Sequence, residues 1–316
     1  MNNQIEALVK EIKKVIKGKD DVILEVITAI LSSGHILLED NPGLGKTTLA
    51  KTLSRAMSLD QKRIQFTPDT MPSDILGISI YEQNQSEMRF IPGPVFTNLL
   101  LADELNRTSS KTQAALLEVM AEGTVTVDNK TYKLDDPFIT IATQNPITSG
   151  GTQQLPDSQL DRFVVKISMG YPDEVGQVEM LVEDDGTDPI DKVVPVVSLE
   201  QLIDMRKKVA GIKLSTAIAT YIAKLCDYTR KNEKIICGIS PRGAKALASM
   251  AKAHAFMEDR DYVIPDDVKA VIVDVFKHRM ILTPSVRREK HAARKIINQM
   301  VQEVEEPSIS GNKEEY

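Results

Sequence analysis

A run of small, cationic and hydroxyl residues, Asn41-Pro42-Gly43-Leu44-Gly45-Lys46-Thr47-Thr48, has what is needed to grip a polyphosphate. Glycine lets the backbone N–H groups of Gly43, Leu44 and Gly45 converge on one point, where a following helix N-terminus also favours negative charge. Lys46 adds a full positive charge for β- and γ-phosphates, and the Thr47 hydroxyl is placed to ligate Mg²⁺. Asp103-Glu104 closes a continuous apolar run. That placement suits the first carboxylate to a magnesium ion, through water, and the second to polarising an attacking water. The same two acids would also cap an ordinary strand. Asn145 ends another apolar run, where it could bond the attacking water or the γ-phosphate; a plain turn asparagine is the alternative.

These residues need elements to hold them. In HILLEDNPGLGKTT (residues 35–48) a short apolar strand breaks into the loop, and a helix opens at Lys46, the strand–loop–helix order of a phosphate-binding loop. The usual pattern has Gly five residues before Gly45, where this chain has Asp40. Aspartate tolerates turn conformations, so the loop stays feasible. Residues 98–104 read as a buried parallel strand whose carboxyl end meets solvent, where ligands sit in open α/β sheets. Further strands are expected at 62–66, 137–142 and 164–167, with helices at 46–58 and 110–121 between them. That alternation implies parallel βαβ connections and at least five strands. Residues 67–97, rich in Pro, Gly and Asp, are too irregular for core and too long for a plain connection. Residues 123–134 alternate around Asp128-Asn129 and predict a β-hairpin. A Gly/Thr/Gln loop spans 148–154.

Upstream, 4–16 and 21–33 have apolar residues at helical spacing, with Asp20 placed to cap the second helix. This pair could flank a nucleotide base or simply pack. A helix from Tyr171-Pro172-Asp173 runs to about Val182, and 184–195 reads as a linker. Beyond it the pattern is purely helical, at 198–210, 215–231, 240–257, 265–278 and 287–302. Ser240-Pro241 and Pro265-Asp266-Asp267 supply helix starts. The expected division is an α/β core over 1–190, a smaller all-α domain over 191–303 and an acidic tail over 304–316.

Composition excludes several classes. With 42% hydrophobic and 27% charged residues, the 316-residue chain has enough apolar content for a real core. No apolar run reaches membrane-spanning length, and the N-terminal stretch is an amphipathic charged helix rather than a signal peptide. Cys226 and Cys237 lack metal spacing and fit reduced core thiols of a cytoplasmic protein. The four histidines are isolated. No tryptophan, 4% aromatics and a net charge of −6 argue against a nucleic-acid surface.

The stretches LLEDNPGLGKTTLAKTL, PGPVFTNLLLADELNRTSSKTQAALLEVMAEG, ATQNP, LDRFVVKISMGYP and SPRGAKAL together resemble the MoxR family of AAA+ ATPases over about residues 18–280. The resemblance implies a P-loop NTPase core with a five-stranded parallel sheet and a helical lid, using ATP and Mg²⁺. It makes 41–48 the Walker A loop, Thr47 and Asp103 the magnesium residues, Glu104 the catalytic base and Asn145 sensor 1. Arg162 in LDRF matches an arginine finger acting on the neighbouring subunit's γ-phosphate, and Arg242 in SPRGA matches sensor 2. Residues 67–97 match the helix-2 insert and 123–134 the pre-sensor-1 hairpin. Loops of the form DxPG are typical there, which accounts for Asp40; Arg107 fits the pattern without an assigned role. The implied assembly is a homo-oligomeric, hexameric ring acting as a chaperone on a separate client, a von Willebrand factor A domain protein. A DNA motor on the same fold is the first rival. The hairpin region answers it, carrying Lys130 and Lys133 against Asp128, Asp135 and Asp136. A non-hydrolysing scaffold is the second, and it would need none of Glu104, Asn145 and Arg162.

Overall fold

The computed structural model describes residues 1–83, 87–145, 155–182 and 186–307. Five strands form one parallel sheet: β1 (Ile36–Glu39), β2 (Gln61–Gln65), β5 (Leu99–Asp103), β8 (Ile139–Gln144) and β9 (Val165–Ile167), in the order β2-β5-β8-β1-β9. In the central strands the side chains alternate between two buried faces. Ile36, Leu38, Leu99 and Leu101 enter one apolar cluster, while Leu37, Leu100 and Ala102 enter the other. Burial on both sides is why β1, β5 and β8 read as largely apolar runs, whereas the edge strand β2 is polar and has no buried residue. The first face is covered by α1 (Asn3–Lys13), α2 (Asp20–Leu31) and α3 (Lys46–Ala56), the second chiefly by α5 (Ser110–Glu122). Asp20 is the first residue of α2 rather than its cap, which is Lys19 with no side-chain bond.

His35 ties two of these layers. Its Nδ1 accepts from the Thr140 N–H (3.1 Å) and its Nε2 meets the Met120 carbonyl (2.9 Å). Burial pushes its pKa down to about 4, so the ring is neutral and Nε2–H donates.

Two hairpins project from this frame. The irregular 67–97 stretch holds a short helix α4 (Pro72–Leu76) and the antiparallel strands β3 (Gly77–Glu82) and β4 (Glu87–Pro92). The second hairpin pairs β6 (Thr124–Val127) with β7 (Lys130–Lys133), and its Asp128-Asn129 turn has positive φ at both residues. Phe90 of the first stacks on Tyr132 of the second, ring centroids 4.2 Å apart, so the hairpins share one aromatic contact.

The short helix α6 (Asp157–Leu160) precedes β9, and α7 (Glu174–Val182) follows it. The remainder is the lid: α8 (Leu199–Gly211), α9 (Thr216–Lys231), α10 (Pro241–Met257), α11 (Pro265–Phe276), α12 (Pro284–Arg287) and α13 (Ala292–Glu303). It is not purely helical, because β10 (Ile235–Cys237) and β11 (Ile281–Leu282) pair as a small ribbon. Lid and core share one apolar cluster through α2, and Arg206 of α8 donates to the Ile30 carbonyl (2.9 Å). Cys226 is buried, but Cys237 is exposed on the ribbon, so only one of the two thiols lies in the core. The Gly/Thr/Gln loop at 148–154 and the last part of the acidic tail, from 308, lie outside the described residues. Among the described residues no helix is long and apolar enough to cross a membrane.

Candidate active site

The strand order brings the chemistry together. β1, which leads into the phosphate loop, pairs with β8, and β8 pairs with β5, so Asp40, Asn145 and Asp103 emerge side by side at the carboxyl edge. A cleft of about 480 Å³ opens there, lined by Pro42–Thr48, Asp103, Glu104 and Asn145. Val15, Lys17, Met169 and Met180 line it as well. The connection between the two opening helices therefore borders the cleft, while the helices themselves pack.

The loop owes its shape to two left-handed residues. Gly43 and Gly45 both have φ of 83°, and a Cβ on Gly43 would meet nothing within 4 Å. The backbone angle, rather than lack of room, is what calls for glycine there. Lys46 is 7% exposed, and its Nζ donates to the carbonyls of Asp40 (2.6 Å) and Asn41 (3.2 Å). Burial lowers its pKa against the pull of Asp40, Asp103 and Glu104. Asn41 contributes that carbonyl and is not part of the cleft lining.

Asp40 has its own task. Its carboxylate, 7% exposed, accepts from Ser168 Oγ (2.8 Å) and the Gly170 N–H (3.3 Å). The Met169 N–H is a third donor. A glycine at 40 would leave this turn after β9 without its acceptor. The departure from the usual loop pattern is thus a bond between loop and sheet edge.

One hydroxyl organises both acids. Thr143 Oγ1 donates to Asp103 Oδ1 (2.6 Å) and accepts from the Glu104 N–H (2.9 Å). The other Asp103 oxygen is 2.7 Å from Arg63 Nη2. Glu104 lies just past β5 with a left-handed backbone (φ 59°), which turns its side chain into the cleft. Its Oε1 accepts from Asn145 Nδ2 (2.9 Å) and its Oε2 from Arg107 Nη1 (2.7 Å). Burial raises the Glu104 pKa, but the Arg107 and Asn145 hydrogen bonds outweigh it, and the carboxyl is held below its usual value. Asn106 in turn fixes Asn145, donating to its carbonyl (3.0 Å) and accepting from its N–H (3.4 Å). Thr47 and Asp103 face the same cleft, and a hydroxyl beside a carboxylate is a hard oxygen pair suited to Mg²⁺.

Two of the expected residues stand apart. Arg162, after α6, is half-buried and donates from Nη1 to the Leu117 carbonyl (2.7 Å). Arg242, in the first turn of α10, is exposed. Neither lines the cleft. Sequence reasoning missed Arg63 and Thr143 and left Arg107 without a role. Arg107 alone had a local signal, three residues after Glu104 on a short turn. The other two depend on which strands are neighbours.

Comparisons with known proteins place the fold in a family. Residues 35–165 match the model of the ATPase family associated with various cellular activities (AAA), and 227–300 match an AAA lid domain. The fold is therefore that of an AAA-type core with its lid. The uncharacterized protein YeaC of Bacillus subtilis is 43% identical over 95% of this chain and 93% of its own length. Chaperone MoxR1 of Mycobacterium tuberculosis is 37% identical over 97% of this chain and 83% of its own. A crystal structure from Cytophaga hutchinsonii, described as a candidate ATPase, superposes with a TM-score of 0.88 at 39% identity, covering 96% of this chain and 94% of that one. This chain belongs to the MoxR family of AAA+ ATPases.

Proposed function

We propose that this protein hydrolyses ATP to ADP and phosphate within a homo-oligomeric, hexameric ring and uses the cycle to remodel a partner protein. The observation that carries the reading is the pair Glu104 and Asn145, hydrogen-bonded across adjacent strands in the cleft that also holds Lys46. A site that only bound nucleotide would have no use for an ionised carboxylate held beside an amide donor. In this reading the loop N–H groups and Lys46 neutralise the β- and γ-phosphates. Glu104 takes a proton from the attacking water as its oxygen bonds the γ-phosphorus and ADP leaves. Mg²⁺, held by Thr47 and Asp103, would supply charge neutralisation at the phosphates. Arg162 lies outside its own chain's cleft, which supports its serving the next subunit; Arg242 would reach the γ-phosphate when the lid turns.

Chaperone action is supported by the printed name of the Mycobacterium tuberculosis relative. The client we infer is a separate protein with a von Willebrand factor A domain, met by the two hairpins. Glu104→Gln tests the core of the reading. The variant keeps ATP affinity and loses turnover by at least ~10²-fold, as expected for a lost general base. Normal turnover in a correctly assembled Glu104→Gln ring would remove the base assignment, and ATPase stimulation by DNA would move the function to nucleic acid.

A further inference from the structure

The lid grips the chain on both sides of Arg162. Arg279 follows α11 in a lid segment, and 2% of its side chain is exposed. Its Nε donates to Asp161 Oδ1 (2.8 Å) and its Nη1 to the Val164 carbonyl (2.9 Å). Nη2 reaches the carbonyls of Asp161 (3.3 Å) and Phe163 (2.5 Å). The second Asp161 oxygen accepts from Ser240 Oγ (3.1 Å), the N-cap of α10. Arg242 stands two residues beyond Ser240 on the same helix start.

A planar guanidinium that satisfies several acceptors at once fixes them as a set. The backbone from 161 to 164 therefore cannot shift against the lid without breaking that set. Core filling alone does not account for a charge here, because apolar side chains of similar volume stabilise a buried seam as well or better. The fork specifies where residues 161–164 sit, and Arg162 is carried between them.

We propose that Arg279 is a positioning residue that, through Asp161, couples the lid of one subunit to the finger Arg162 it offers its neighbour. This rests on the reading of Arg162 as a finger acting in trans. When a subunit's own site fills or empties, rotation of its lid displaces Arg162, and the next site registers the change.

Mixed rings test this, with assembly checked by size-exclusion chromatography and nucleotide binding by fluorescent ATP. Arg279→Lys keeps the charge and loses the fork; it binds ATP as the parent does, and its turnover falls at least ~10-fold, within the ~10³–10⁵ a finger can supply. Mixed with Lys46→Ala subunits, which bring an intact lid and finger, Arg279→Lys subunits regain turnover to the level of an Arg162→Ala and Lys46→Ala mixture. Mixed with Arg162→Ala subunits, they regain none. Asp161→Asn follows the same pattern and carries the comparison if Arg279→Lys does not fold. The proposal is overturned if Lys46→Ala subunits rescue Arg162→Ala but neither of these two variants, or if both variants turn over normally. Failure to rescue Arg162→Ala itself removes the finger in trans, and the coupling with it.

Discussion

Replacing Asp40 by glycine converts the loop to the usual phosphate-loop pattern, yet the structure predicts a loss. The buried Asp40 carboxylate accepts from Ser168 Oγ (2.8 Å), the Gly170 N–H (3.3 Å) and the Met169 N–H. Removing an acceptor from a buried donor costs about 1–3 kcal/mol per group left unmatched. The Gly170 contact is long and Ser168 can turn to water, so roughly one such loss and a fraction of a second are expected. Added backbone freedom contributes about 0.5–1 kcal/mol more. The sum is about 2–5 kcal/mol, a large share of the ~5–15 kcal/mol that holds a typical protein folded. The damage is directed as well as general. The Asp40 carbonyl accepts from Lys46 Nζ (2.6 Å), so a looser residue 40 loosens the lysine proposed to meet the phosphates. Thermal unfolding should move down by several degrees, at roughly 2–4 °C per kcal/mol for a large domain. ATP affinity, followed by fluorescent-nucleotide titration, should weaken, while Asp40→Asn, which keeps one acceptor, should fall between. An Asp40→Gly protein with unchanged melting temperature and ATP affinity would refute the assignment of Asp40 as the tie between loop and sheet edge.

Arg107→Ala should move the acid limb of the kcat/KM profile to higher pH. Arg107 helps hold the Glu104 carboxyl below its usual value, so its removal raises that pKa, and the proposed base protonates sooner as pH falls. An unmoved acid limb would mean that Arg107 does not govern the base. In the lid, the fully buried Asp267 receives hydrogen bonds from Arg260 Nη1 (2.7 Å) and His254 Nδ1 (2.7 Å). Burial raises its pKa, but these donors and the Ile264 N–H outweigh that and hold it low. Its contribution is present above the unfolded carboxyl pKa of ~3.9 and is lost as pH falls through the lower folded value. Asp267→Ala, which leaves the Arg260 charge without its partner, should cost about 3–5 kcal/mol and remove that acid-range dependence in urea unfolding; an unchanged urea midpoint would contradict it.

The central strands of the parallel sheet were legible because burial on both faces selects largely apolar runs, as in residues 99–101 and 139–142, whereas the edge strand β2 is polar and has no buried residue. The 123–134 hairpin was legible through Asp128-Asn129, which tolerate the positive φ the turn requires. The β10–β11 ribbon was hidden, since its strands are only three and two residues long and lie far apart in the chain. Exposure of Cys237 follows from that ribbon and could not be read before it.

The chemistry of the site came from local order. Backbone angles, charges and hydroxyls within residues 43–48 and 103–104 are set by neighbours in the chain, and so is the class of ligand they suit. Strand order is not a local property. Only when β8 lies between β1 and β5 does Thr143 bridge Asp103 and the Glu104 N–H and does Asn145 reach Glu104. Arg279 shows the same limit over a longer span, meeting Asp161 from 118 positions away. Such contacts are fixed by how buried faces and buried polar groups are satisfied together, which no single stretch of sequence encodes.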